Sequence, residues 1–211
     1  MTSLAQDQHE HLEASTKERI LAAATAEFAR LGLEGARVDR IARRASVNKA
    51  MIYYHFSSKE NLYLAAIEHM LLPAREHLKA VADSSTELRA LLSGLAAAYR
   101  RVFSDYSALK AILLREMANP SDRVLSHVAG ILVGSGLPVK IRSLIEAEIK
   151  EGRIRKFPVE QIGVSFMTSI LGGIFMAPIY QRVLGIHDLE KFLDTRQTLL
   201  VDMILDGIKS E

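Results

Sequence analysis

The sequence predicts an all-α protein of about nine or ten helices, with a small three-helix N-terminal domain followed by a larger helical one. Three observations carry that prediction. Ala, Leu, Ile, Arg and Glu dominate a chain of 211 residues with 6% aromatics and no Trp, a bias toward side chains that lose little rotamer freedom in a helix. Apolar residues recur at three- and four-residue spacing, without the sustained alternation of a strand. Ser-x-x-Glu boxes, an Asn-Pro pair and glycine breaks punctuate the chain at helical intervals.

The first helix is expected to open at the box Ser15–Glu18, leaving residues 1–14 as a flexible, acidic tail. Ile20, Ala24, Phe28 and Leu31 give it an apolar stripe, and Gly32 stops it. A short second helix, Val38–Ala45, buries Val38, Ile41, Ala42 and Ala45 while exposing Arg40, Arg43 and Arg44. After a break at Ser46 and Val47, Asn48 caps a third helix that runs through His55 and ends at Phe56. Ser57–Glu60 opens a fourth toward Ala82, with Pro73 as a kink, and the box Ser84–Glu87 opens a fifth reaching Phe103. Ser107–Ala118 is closed by Asn119-Pro120; Ser121–Val133 breaks at Gly134 to Gly136; an eighth helix starts at Pro138 and ends at Gly152. Two longer helices follow, Pro158–Leu184 and Asp188–Lys209, separated by Gly185. The domain boundary falls within helix four, dividing residues 15–75 from 76–211.

Composition narrows the class. Hydrophobic residues at 49% and charged residues at 25% fit an ordered globular chain. The absence of Cys excludes disulfides, thiolate nucleophiles and Cys-ligated metals. The N-terminus lacks the basic start and apolar run of a secretory signal. The longest apolar segment, Ile162–Tyr180, is interrupted by Gly163, Gly172, Gly173, Pro178 and several hydroxyl residues, which points to a buried helix and not a membrane span. The expectation is a soluble, cytoplasmic protein with no membrane partner. Net charge is only +2, yet residues 15–60 hold nine bases against five acids, a local balance of 9 − 5 = +4 that suits a polyanion.

The pair Val38–Ala45 and Asn48–His55 has the size of a helix-turn-helix, bounded by Arg37 and Phe56. Such a unit lays its second helix in the major groove, so that helix needs polar or small residues at its start and phosphate binders toward its end. Asn48, Lys49, Ala50 and Met51 stand at the start: Lys49 donates to a guanine edge or a phosphate, Ala50 allows close approach, and Met51 suits a thymine methyl. Tyr53, Tyr54, His55 and Lys59 supply donors that fix register on phosphates. Plainer readings exist for each. The two tyrosines fit core aromatics, His55 fits a cation at a helix C-terminus, and Arg43 and Arg44 fit a solvated face.

Residues 16–68 resemble the N-terminal domain of the TetR family of one-component transcriptional repressors. The resemblance rests on Ala-Glu-Phe-Ala-Arg-Leu-Gly (26–32), Val-Asp-Arg-Ile-Ala (38–42), Val-Asn-Lys-Ala-Met-Ile-Tyr-Tyr-His-Phe (47–56) and Ser-Lys-Glu (58–60). It implies a homodimer on a palindromic operator in double-stranded DNA, with Tyr54, His55 and Lys59 on phosphates and Tyr53 near the groove. Two positions depart from the family pattern. Arg37 replaces a Ser or Thr helix cap, at a cost of about 1 kcal/mol, and adds a cation. Ser46 replaces the turn glycine and alters the scaffold that aims the third helix.

Beyond residue 75 the resemblance is one of outline. Ile141–Val159 looks like the family's ligand-domain connector, and the last two helices resemble the pair that packs as an intersubunit four-helix bundle. Gly163, Gly172, Gly173 and Ala177 permit close approach there, and tight packing within one chain explains the same residues. Tyr99, Phe103, Leu113, Met117, Phe166, Met167, Ile170 and Met176 fall at helical spacings; they read as core, and the resemblance implies that some line a pocket for an apolar effector. In that picture helix four is the lever that carries effector binding to the reading heads.

No enzyme is expected. Glu146 and Glu148 point to different helix faces, and no nucleophile–base pair is evident. No metal or cofactor is expected either: His9 and His11 have no third ligand nearby, and His69, His77, His127 and His187 are scattered. Three other readings share these residues: a DNA-binding regulator without an effector, a helical enzyme using a C-terminal cavity, and a helical interaction module.

Overall fold

A computed structural model describes residues 2–156 and 158–209, with side chains from Ser15 onward, so the His9 and His11 side chains lie outside the described residues. Among the described residues ten helices are present: α1 (Thr2–Gly35), α2 (Val38–Ala45), α3 (Lys49–Phe56), α4 (Lys59–Ser84), α5 (Leu88–Asp105), α6 (Ser107–Ala118), α7 (Asp122–Gly134), α8 (Leu137–Lys150), α9 (Val159–Val183) and α10 (Leu189–Ile208). The fold is all-α, as the sequence predicts. Strand-like pairing among the described residues is confined to an isolated bridge between Ile154 and Lys209.

Several boundaries differ from expectation for local reasons. The helix α1 begins at Thr2, so the Ser15–Glu18 box lies inside it and does not open it. Residues 2–31 contain neither Gly nor Pro, and good helix formers upstream of the box outweigh its preference for a cap. Gly32 does break the helix, with φ 69° and ψ −177°. The hydroxyl that caps α4 belongs to Ser58, which accepts from the Asn61 N–H at 3.0 Å. Ser84 and Ser85 both donate back to the Val81 carbonyl, so the expected box at Ser84 closes α4 instead of opening α5.

The chain forms two compact units. The first comprises residues 1–72 and 106–129; the second comprises residues 73–105 and 130–211. The division passes through α4 between Leu72 and Pro73, and α6 with most of α7 belongs to the first unit despite its place in the sequence. In that first unit Phe28 of α1 meets Tyr63 of α4 edge-on at 4.8 Å, over buried Ile41, Ile52 and Ile112 from α2, α3 and α6. Three polar contacts fasten α6 and α7 to it: Arg115 donates to the Arg30 carbonyl, Tyr63 donates to Glu116, and Arg123 donates to Asn61.

The second unit is built on Leu91, Leu92 and Leu95 of α5, with Ile145 of α8, Phe166 of α9 and Val201 of α10. Its α9 is long and apolar enough by length and composition to cross a membrane, but only one face is buried, through Ile162, Phe166, Ile170, Gly173 and Ala177. The expectation of a buried helix holds for that face alone. Val164, Met176, Ile179 and Val183 are exposed, because neighbours pack on α9 from one side only.

Candidate nucleic-acid interface

The geometry of the reading head is set by two chain breaks and one cap. Arg37 precedes α2 in extended conformation with no side-chain cap; its carbonyl accepts from the N–H groups of Arg40 and Ile41. Ser46 closes α2 in the left-handed region at φ 55°, ψ 46°, so the turn keeps the conformation that glycine adopts freely. A side chain there costs about 1–2 kcal/mol, part of which glycine returns through its freer unfolded chain. Ser46→Gly should therefore raise stability by about 0.5–1 kcal/mol in urea denaturation, with DNA binding retained. A loss of stability would mean that the serine hydroxyl has a role of its own. Asn48 then caps α3 by accepting from the Met51 N–H at 2.8 Å.

Ile52 and Phe56 anchor α3 in the core. Lys49, Ala50, Tyr53 and Tyr54 occupy the opposite face and are exposed. At 41% and 71% exposure, Tyr53 and Tyr54 are surface residues, which removes the core-aromatic reading. Met51 and His55 are half-buried. The His55 ring meets the Tyr54 ring edge-on at 5.1 Å, and its Nε2 has no hydrogen-bond partner within the protein.

Two lysines are already engaged. Lys59 donates to the Glu34 and Ala36 carbonyls at 3.3 and 3.4 Å, which ties the start of α4 to the end of α1 and fixes the ammonium beside the reading head. Lys49 pairs with Asp39 of α2 at 3.0 Å, and the hydrogen bond and charge of that carboxylate raise its pKa above the ordinary lysine value. A second acid, Glu27, is buried in α1 and lies 3.3 Å from Arg30 and 3.9 Å from Arg40, steering one of the α2 cations. Neither Asp39 nor Glu27 stands out in the sequence; the only available signal was an acid one turn away from the basic run.

Residues 20–66, which contain this reading head, match the family model for bacterial regulatory proteins of the tetR family. Residues 20–66 thus form a DNA-binding domain of the TetR type. The chain is a DNA-binding transcriptional regulator and not an enzyme. The HTH-type transcriptional repressor SCO4008 of Streptomyces coelicolor is 48% identical over 58 residues, 28% of this chain and 30% of that protein. The HTH-type transcriptional regulator RutR of Escherichia coli K12 is 26% identical over 195 residues, 92% of this chain and 90% of RutR. The transcriptional regulator FadR of Bacillus subtilis, solved in complex with stearoyl-CoA, shares the fold, with a TM-score of 0.68 at 16% identity over 90% of this chain and 98% of that one.

The second unit contains a cavity of about 400 Å³ among α5, α7, α8 and α9. Of the residues expected at an effector pocket, Tyr99 and Met167 line this cavity, together with Leu132, Leu137, Ile141 and Val159, which the sequence did not single out. Those four flank the α7–α8 and α8–α9 breaks, where apolar residues look like ordinary loop anchors in the sequence. The other six expected residues lie elsewhere. Phe166 and Ile170 are core; Phe103 packs edge-on against Phe175 at 5.2 Å; Met176 is exposed. Leu113 and Met117 belong to α6 and so to the first unit.

The four small residues of α9 also separate. Gly163 lines the cavity, and Gly172 faces open space. Gly173 and Ala177 are taken up within the chain: they lie on the buried face, and a Cβ at Gly173 would come within 2.9 Å of Arg196 Nε. Their placement at a subunit interface is corrected on that ground. Among the described residues no group of three His, Asp or Glu is placed to hold a metal ion.

Proposed function

We propose that the chain is a homodimeric repressor that holds a palindromic operator through two copies of α3 and leaves it when a small, largely apolar effector enters the cavity of the second unit. The observation that carries the reading is that cavity: about 400 Å³ of mostly apolar wall in a unit that contributes nothing to the reading head. The stearoyl-CoA bound by FadR and the repressor role of SCO4008 support it.

Residues 15–75 are the DNA-binding domain in this reading, residues 76–211 supply effector binding and dimerisation, and α4 runs through both as the lever. Val164, Met176, Ile179 and Val183 of α9, with Leu199 and Met203 of α10, leave apolar surface uncovered. A second copy related by a twofold axis covers it and sets the two α3 helices about 34–36 Å apart, one turn of DNA. Tyr54, His55 and Lys59 hold phosphates, while Lys49, Ala50 and Met51 face the bases. Release requires the effector to bind the two dimer states with different affinity.

The test is fluorescence anisotropy on duplexes selected from a random pool. Binding by two chains per palindrome is expected to weaken steeply with salt, because phosphate contacts release counterions, and to be relieved by the apolar dye N-phenyl-1-naphthylamine. Salt-insensitive binding, or a single chain per site, would overturn the dimeric repressor. DNA binding unaffected by every apolar compound that enters the protein would leave a regulator without an effector.

A further inference from the structure

The cavity wall carries three polar side chains, Tyr99, Arg142 and Glu160, and they differ in what they already hold. Arg142 and Glu160 pair with each other, both more than half exposed at the solvent edge, and Glu146 lies 3.7 Å from the same guanidinium. Tyr99 is the opposite case. It is 6% exposed, sits on α5 among apolar neighbours, and its hydroxyl has no hydrogen-bond partner within the protein. Leaving a buried hydroxyl unpaired is unfavourable, and a phenylalanine would fill the same wall without that penalty.

Tyr99 lines the cavity, and a molecule held there is the group placed to complete the hydrogen bond. Burial pushes the Tyr99 hydroxyl well above its ordinary pKa, so the phenol keeps its proton and serves as a donor. A carboxylate brought to this wall would lose its hydration and find one donor in return, whereas a neutral carbonyl oxygen is satisfied by one. We propose that the effector is a largely apolar molecule bearing one neutral carbonyl-type oxygen, such as a ketone, ester or lactone, and that Tyr99 recognises this oxygen by donating its hydroxyl proton. This rests on the cavity being the effector site.

Three naphthalenes of similar shape separate the possibilities: 2-acetylnaphthalene, 2-ethylnaphthalene and 2-naphthoate. Each is titrated into the full-length protein as a competitor of N-phenyl-1-naphthylamine, whose emission is read without interference because the chain has no Trp. The ketone is expected to bind the wild type about tenfold tighter than the hydrocarbon, with the anion weakest. In Tyr99→Phe the ketone should lose that tenfold while the hydrocarbon binds as before, and the variant should melt at or above the wild-type temperature. Equal affinities in the wild type, a ketone preference that survives Tyr99→Phe, or tightest binding by the naphthoate would each overturn the proposal. So would a variant melting several degrees lower, since the hydroxyl would then have a partner in the protein. If the dye and all three naphthalenes fail to enter the wild type, the effector-site reading itself falls, and the Tyr99 assignment with it.

Discussion

Tyr63→Phe is expected to destabilise the DNA-binding unit by about 2–3 kcal/mol, although it removes one oxygen atom. Tyr63 is 1% exposed and donates to Glu116 Oε1 at 2.7 Å; Glu116 is itself 8% exposed, and its Oε2 has no partner within the protein. That single hydrogen bond is what compensates the burial of a carboxylate between α4 and α6. Burial and the adjacent Glu116 both push the Tyr63 pKa upward, so the phenol remains a donor at every working pH. With the hydroxyl gone, the carboxylate is left buried with neither oxygen paired, and that penalty exceeds the worth of the bond itself. A loss of 2–3 kcal/mol is a large share of the roughly 5–15 kcal/mol typical of a domain. The double variant Tyr63→Phe with Glu116→Leu should recover most of it, because removing both partners leaves no unpaired group. Urea denaturation followed by circular dichroism measures all the variants. A Tyr63→Phe protein within 0.5 kcal/mol of wild type, or a double variant no better than the single one, would show that Glu116 is solvated and that α6 is held by other contacts.

The same pair shows where sequence reading reaches its limit. The local signals served well: Asn48 caps α3 as its position predicts, accepting from Met51, and the last helix starts where expected, with Asp188 capping it by accepting from Lys191. The breakers Gly32, Asn119-Pro120 and Gly136 fall between helices or at a helix break. Each of these effects acts within a few residues, so pattern and chemistry coincide. Tyr63 and Glu116 are 53 residues apart, and nothing near either one announces the other. Their meeting draws α6 away from its sequence neighbours and into the first unit, taking Leu113 and Met117 with it. Capping boxes failed where context was stronger: Ser15 is absorbed by a longer helix, and Ser84 turns back to close the helix it follows. In α9 the small residues were legible as sites of close approach, but the direction of approach was not. Gly173 accommodates Arg196 of the same chain, while Gly172, one residue earlier and rotated by 100°, faces outward. The reading head was the most legible part because its function requires exposure. Tyr53, Tyr54, Lys49 and Ala50 are where helix periodicity puts them.

Asp39, the acid that periodicity did not single out, gives the second large effect. Lys49→Ala is expected to lower affinity for a selected duplex about tenfold and to flatten its sequence preference, whereas Asp39→Asn should tighten binding to every duplex several-fold and weaken discrimination. The two side chains are exposed, and an exposed ion pair is worth little in water, so the Lys49 ammonium can be transferred at small cost from Asp39 to a guanine edge. A base that offers no acceptor leaves it on the carboxylate, which meanwhile repels the phosphates. If Lys49 reads a base as proposed, the pair is expected to act as a filter in which Asp39 is the alternative that a correct base must outcompete. Neutralising Asp39 removes both the repulsion and the competition, so the salt dependence should steepen by about one unit of slope. The raised pKa of Lys49 keeps it charged well beyond neutrality, so neither effect should change between about pH 6 and 9. Anisotropy titrations on matched and single-mismatch duplexes at several salt concentrations read all three quantities. An unchanged preference in Lys49→Ala would remove that residue from base reading, and an Asp39→Asn protein that gains affinity while keeping full discrimination would reduce the carboxylate to simple repulsion.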